Sequence, residues 1–191
     1  MLKTKLVDGF KIRNTIDVDF SVIGGHEVYP YIDKGEIWFD RAFIKEREHF
    51  VKLFEERTRL TKLYGYERAK EMLRTKVSPI GNKKLKKQEI KKLKGAKDVE
   101  VYLVNGALVR KAFDPSFCFG GHYLVYKYVP KGEVWIDNAF SSQERKYVII
   151  HELHELNLMK KGMSYNNAHD YACAAEKEAR RNDGVGRYLK D

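Results

Sequence analysis

His151 and Glu155 stand four residues apart in the run His151-Glu152-Leu153-His154-Glu155, and His169, Cys173, Glu176 and Arg180 follow at helical intervals. Side chains at i and i+4 of an α-helix lie nearly above one another. An imidazole and a carboxylate placed this way can offer two donors to one ion, and the pair suits zinc or another divalent first-row metal. Glu152, beside the first donor, has the chemistry of a general base toward water activated by the ion. The candidate centre is therefore His151, Glu155 and His169 as ligands, Glu176 as a fourth ligand or as support behind one of them, and Glu152 as the catalytic base. The competing reading is a charged helix whose polar residues face solvent. Two histidines and three glutamates within one helical hairpin favour the centre.

Two helices must present these residues. Ser141-Ser142 can cap a helix running from about Gln143 to Lys160 and stopping at Gly162. Its core-facing stripe is expected to be Ile149, Ile150, Leu153 and Leu156. Ser164 can cap a second helix from Tyr165 to about Arg181, ended by Gly184 and Gly186. Small side chains at Ala168, Ala172, Ala175 and Ala179 would let the two helices approach until their polar stripes meet.

The chain is written twice. Val7-Asp8-Gly9, Arg13, Asp17, Phe20, Gly24-Gly25-His26, Lys34-Gly35-Glu36, Trp38, Asp40 and Ala42-Phe43 recur in order as Val104-Asn105-Gly106, Arg110, Asp114, Phe117, Gly120-Gly121-His122, Lys131-Gly132-Glu133, Trp135, Asp137 and Ala139-Phe140. Copy one has Leu53-Phe54-Glu55-Glu56-Arg57 where copy two has the histidines, so the scaffold was kept twice and the chemistry once. Each copy reads as an α+β unit, a small antiparallel sheet of two hairpins followed by a helical hairpin. Asp8-Gly9 and Asn105-Gly106 are read as hairpin turns. Residues 27–32 pair with 36–40, and 123–129 with 133–137, through turns at Lys34-Gly35 and Lys131-Gly132. In copy one the helices are expected from about Ile44 to Tyr64 and from Glu67 to about Arg74.

The domains are then repeat 1 at 1–76, a basic connector at 77–98 and repeat 2 at 99–191, the two repeats packing about a pseudo-two-fold axis. Residues shared by both copies are read first as structure. The paired glycines permit a positive-φ turn or bulge. His26 and His122 are buried hydrogen-bonding residues rather than ligands, and Trp38 and Trp135 anchor the core. Asp40 and Asp137 take backbone amides where a strand turns toward a helix. Arg13 pairs with Asp17, and Arg110 with Asp114.

A strand at Glu133–Asp137 followed by a helix ending in His-Glu resembles the core of the zincin metallopeptidases, over about the last third of the chain. In that family an edge strand aligns the substrate beside a helix bearing His-Glu-x-x-His. The resemblance implies His151 as a zinc ligand and Glu152 as the base. The family's second histidine falls on Glu155, with His154 one position short, and His169 or Glu176 stands for the third ligand. A variant or inactive peptidase is implied as much as an active one. The segment from Gly162 through Ala168-His169 to Glu176 also resembles uncharacterised proteins of microbial mobile elements.

The formal net charge is +10, and most of it lies between Arg74 and Asp98, where ten Lys or Arg face only Glu89 and Asp98. Asn82 could cap a lysine-rich helix to about Lys94. Its Lys83, Lys84, Lys86, Lys87, Lys91 and Lys92 could neutralise phosphates, which makes a non-enzymatic nucleic-acid-binding protein using residues 83–97 the principal alternative function. A third possibility is a structural or assembly protein. No aromatic is interleaved with these lysines, so base stacking is not expected. Cys118 and Cys173 form no CxxC pair and no disulfide framework. No segment approaches the ~20 apolar residues of a membrane span, and no apolar secretory run follows Met1-Leu2-Lys3, so a cytoplasmic protein is expected. Abundant Lys and Glu with only Gln88 and Gln143 is hyperthermophile-like usage. The oligomeric state stays open.

Overall fold

The computed structural model describes residues 3–17, 20–65, 68–69, 72–73, 91–96, 98–112, 114 and 117–185. The first half runs β1 (Lys3–Val7), α1 (Gly9–Thr15), β2 (Ile23–Gly25), β3 (Glu36–Asp40), a 3-10 turn at Arg41–Glu46 and α2 (Arg47–Tyr64). The second runs β4 (Lys91–Ala96), β5 (Val99–Val104), α3 (Gly106–Ala112), β6 (Gly120–His122), β7 (Glu133–Asp137), α4 (Ser142–Lys160) and α5 (Tyr165–Asn182). The chain is an α+β protein with two small sheets, ordered β1-β3-β2 and β4-β5-β7-β6.

The ladders show the duplication directly. β1 lies parallel to β3 with Lys3 opposite Glu36, and β5 lies parallel to β7 with Glu100 opposite Glu133. β2 is antiparallel to β3 with Ile23 opposite Phe39, and β6 to β7 with Gly120 opposite Ile136. Both of these pairings repeat at an offset of 97, and β4 is an addition of the second sheet. The halves also touch reciprocally. Asn14 donates to Ala139 O (2.8 Å) and accepts from Ser141 N (3.1 Å). Lys111, its equivalent at the same offset, reaches back to Glu46 (2.6 Å). Ala107 of α3 packs on the first half's core of Val22, Ile23, Phe39, Phe43 and Phe50. The equivalent positions Asn14 and Lys111 thus each reach the other half.

The parallel pairing overturns the first expected hairpin of each copy. Asp8 and Asn105 instead cap helices α1 and α3, accepting from Lys11 N (3.0 Å) and Leu108 N (3.2 Å). The following glycines serve close approach. A Cβ on Gly9 would lie 1.9 Å from Asp40 Oδ2, and one on Gly106 2.0 Å from Asp137 Oδ1. Those aspartates do take the amides of Ala42 (3.1 Å) and Ala139 (2.8 Å). They also receive the buried guanidiniums: Arg13 pairs with Asp40 (3.1 Å) and Arg110 with Asp137.

The second hairpins shrink to β2 and β6, and residues 27–32 and 123–129 form turns. There the rings of Tyr29 and Tyr126 lie over Gly24 and Gly121, where a Cβ would come within 2.1 and 2.2 Å of ring carbons. Neither glycine of these pairs has positive φ; in the second half that conformation falls on Phe119 (φ 63) instead. Gly162 (φ 91) and Gly184 (φ 67) end α4 and α5 as expected.

Of the lysine-rich helix, residues 82–90 lie outside the described residues, including Lys83, Lys84, Lys86 and Lys87. Lys91 and Lys92 belong to β4, an exposed edge strand antiparallel to β5, and Lys92 pairs with Glu100. Alternation about Leu93 and pairing with the Val-rich β5 outweigh helix propensity there, and lysines on an edge strand discourage further pairing. Of the second copy-one helix, residues 68–69 and 72–73 are helical, and the rest lies outside the described residues.

Candidate metal centre

α4 begins at Ser141, whose Oγ accepts from Glu144 N (3.3 Å). It is buried on two sides, since β6 and β7 cover one and α5 the other. The expected core stripe is therefore only part of the story: Leu156 is fully buried, while Ile149, Ile150 and Leu153 are half-buried. The deeper line carries Glu144, Val148, Glu152 and Glu155. On α5, Ala168 and Ala172 are fully buried against it, so the backbones come close and the polar residues above and below them meet.

Polar contacts bridge the helices. His151 Nδ1 lies 3.1 Å from Glu176 Oε2, His169 Nδ1 lies 2.9 Å from Glu155 Oε2, and Arg180 is bound by Glu144 (2.6 Å) and by Glu176 (2.9 Å). A carboxylate only accepts, so each imidazole carries a proton on Nδ1 and turns Nε2 the other way. His169 Nε2 is 3.7 Å from Cys173 Sγ, and the donor atoms of His151, His169 and Cys173 all lie within 4.8 Å of one another. His151 Nε2 is also 3.6 Å from Glu155 Oε2. The sequence-selected His151, Glu155, His169 and Glu176 are thus brought together, Glu176 standing behind His151 and anchored by Arg180. His154 is exposed and takes no part.

Two residues join that sequence reasoning did not place. Cys173 lies one turn from His169 on the same face, and spacing alone does not say whether it meets the core or the site. His122 is fully buried and points from β6 to Glu155, its Nε2 3.0 Å from Oε1. Its Nδ1 accepts from Leu124 N (3.3 Å), so the ring proton sits on Nε2 and is donated to Glu155. The buried trio His122, Glu152 and Glu155 is also within 4.8 Å, but a histidine giving its Nε2 proton to a carboxylate has no lone pair there for a cation.

His122 is the buried hydrogen-bonding residue expected of it, but it is not the counterpart of His26: it stands opposite Val134, and at the offset of 97 its counterpart is Gly25, opposite Ile37. Gly120 likewise replaces Ile23, and a Cβ on it would lie 3.1 Å from Glu152 Cγ. The second copy thus has a glycine at one strand position, where a Cβ would crowd Trp135 O (2.7 Å) as well as Glu152, and an imidazole at another. The tyrosines Tyr29/Tyr126 and Tyr31/Tyr128 keep the offset of 97 and were the signal in the sequence that the glycines had slipped.

The electrostatics follow from this packing. Burial alone would lower His151, but hydrogen bonds with Cys173, Glu155 and Glu176 raise it to about 12. Hydrogen bonds with Cys173 and Glu155 raise His169 to about 10. The same two imidazoles lower the Cys173 thiol to about 6. Against burial, the three surrounding histidines hold Glu155 below the usual carboxylate range. Glu152 goes the other way: burial pushes its carboxyl up, and among the described residues it makes no hydrogen bond or ion pair.

β7 (Glu133–Asp137) lies between β5 and β6, so it is not an edge strand of its sheet, whose edges are β4 and β6. No described helix is long and apolar enough to cross a membrane. No family model, no curated protein and no solved structure matches the chain.

Proposed function

We propose that the second half is a metal-dependent, hydrolase-like centre holding one divalent ion, zinc by its donors, at His151 Nε2, His169 Nε2 and Cys173 Sγ. The observation that carries this reading is the pair of carboxylates on the two Nδ1 atoms, which leaves Nε2 of each imidazole for an ion, with Cys173 Sγ within 4.8 Å of a nitrogen of each ring. Metal-ligating histidines are held by this kind of outer carboxylate. The donor set fits the ion: tetrahedral zinc keeps a nitrogen and a sulfur ligand about 3.6 Å apart, and His169 Nε2 and Cys173 Sγ are 3.7 Å apart. Thiolate with imidazole favours zinc over magnesium or calcium. Glu155, chosen from the sequence as a ligand, has Oε2 within reach of His151 Nε2 and completes the set as a fourth donor or as the anchor of His169.

A zinc ion there would act as a Lewis acid and make water acidic near neutral pH. Glu152 supplies what such chemistry needs from the protein. It is a buried carboxyl with no competing partner, able to accept a proton and pass it on. Gly120 leaves the space in which its side chain lies, and the sheet beneath keeps bulk water away. The reaction class this supports is hydrolysis at a carbonyl, in keeping with the zincin resemblance.

Elemental analysis of the purified protein tests the reading. About one equivalent of zinc or a related ion is expected, with loss in His151→Ala. Unchanged metal content in that variant ends the proposal. Glu152→Gln should keep the ion and lose hydrolysis.

A further inference from the structure

Within β6, copy two departs from copy one at two positions, and Gly120 in place of Ile23 lies beside Glu152. The other, an imidazole where copy one has Gly25, sits at a buried place that the fold fills with no side chain in the first half. A fully buried histidine added there has to satisfy both ring nitrogens, and it does: one accepts a main-chain N–H and the other donates to a carboxylate.

We propose that His122 is a positioning residue of this centre: from β6 it donates its Nε2 proton to Glu155 Oε1 and so holds the other oxygen of that carboxylate against His169. The inference rests on the reading of His151, His169 and Cys173 as an ion site. The chain of donors and acceptors is continuous. Leu124 N gives its hydrogen to His122 Nδ1 (3.3 Å), His122 Nε2 gives its own to Glu155 Oε1 (3.0 Å), and His169 Nδ1 gives its own to Glu155 Oε2 (2.9 Å). His169 Nε2 is thereby aimed at Cys173 Sγ. A main-chain amide of the turn after β6 thus decides which nitrogen of a histidine on α5 faces the sulfur.

Without His122, Glu155 Oε1 is a buried acceptor with no donor from the sheet, and the carboxylate can rotate to share both oxygens with His151 and His169. Such a carboxylate no longer orients one ligand. Phe119, held at φ 63 and stacked on Phe140 (ring centroids 5.0 Å apart), starts the strand that carries His122 and keeps it against α4. A bulky residue in that conformation is costly, and the surrounding packing must hold it there.

The test uses the full chain, with zinc affinity measured by competition against a chromophoric chelator. His122→Ala should weaken zinc binding about 10–100-fold, the loss typical of removing an outer partner of a metal ligand. His122→Gln, whose amide N–H can reach the same carboxylate oxygen, should recover most of it. A His122 that serves only packing would lower thermal stability in both variants and leave affinity unchanged, which would overturn the proposal.

A second readout needs no ion. Long-range nitrogen–proton correlation spectra of the histidine-labelled, metal-free protein should show His122 as the neutral Nε2–H tautomer. An Nδ1–H or doubly protonated His122 would overturn the proposal even if zinc binds. Wild-type protein that binds no zinc while His122 keeps the Nε2–H tautomer would instead refute the ion site.

Discussion

Glu176→Gln is the sharpest probe of how the centre is held. The glutamate receives two donors, the Nδ1 proton of His151 (3.1 Å) and Arg180 Nε (2.9 Å). Glutamine keeps the shape but offers one acceptor oxygen and one NH2 donor. One contact must then become donor against donor. If the NH2 faces Arg180, the guanidinium still has Glu144 but loses a buried partner, where hydrogen bonds to charged groups are worth about 1.5–3 kcal/mol. If it faces His151, that imidazole has to accept on Nδ1, its proton moves to Nε2, and the donor for the ion is lost. Either arrangement weakens the site. The expected loss is about 10–100-fold in zinc affinity, or about 1.4–2.7 kcal/mol. Chelator competition at pH 7.5 in wild type and variant measures it directly, and cobalt substitution shows whether the thiolate band survives. Equal affinities would refute the view that Glu176 acts through His151, and with it the assignment of Nε2 as the donor.

Two further outcomes follow from the same geometry. In the metal-free protein His151 and His169 are raised to about 12 and about 10, so at neutral pH an ion must displace the proton on each Nε2. Binding should therefore release roughly two protons per ion, and affinity should tighten as pH rises from 7 toward 10. Calorimetry in buffers of different ionisation enthalpy measures the release, and pH-independent binding would contradict the assigned ligands. Asp137→Ala strands the fully buried Arg110 and should cost about 3–5 kcal/mol, with Asp40→Ala behaving alike through Arg13. Urea unfolding that shows less than a third of that loss would mean the pairs are not what ties each corner together.

Much of the candidate site was legible because helices carry their own code. The i, i+4 spacing of His151 with Glu155 and of His169 with Cys173, the serine before each helix and the glycine after it are local, and they placed α4 and α5 within a residue or two. The small residues Ala168 and Ala172 announced a close helix contact, and the contact brought the polar stripes together. The sheet was less legible. An Asp-Gly or Asn-Gly pair suits a hairpin turn and a helix cap equally well, and a strand's own residues do not say whether its partner runs parallel. Val7 and Val104 end strands that pair with segments about 33 residues away, and that choice turned two expected hairpins into strand–helix units.

His122 shows where the boundary lies. The duplication was plain in the amino-acid order, and from it came the frame of Gly9, Arg13, Asp40 and their partners in the second half. Similar residues in similar order were enough to show one fold used twice, with the histidines of one helical hairpin standing outside it. Which copy-one residue His122 replaces is a matter of register, and a slip of one residue moves a side chain to the opposite face of a strand. Only the ladder, with its invariant offset of 97, placed His122 opposite Val134 and its imidazole on Glu155. The same holds for the roles of Glu155, Glu176 and Cys173. Local spacing put them on the right faces, but which nitrogen of each histidine is free depends on what packs behind it, and that is decided by contacts between segments far apart in the chain.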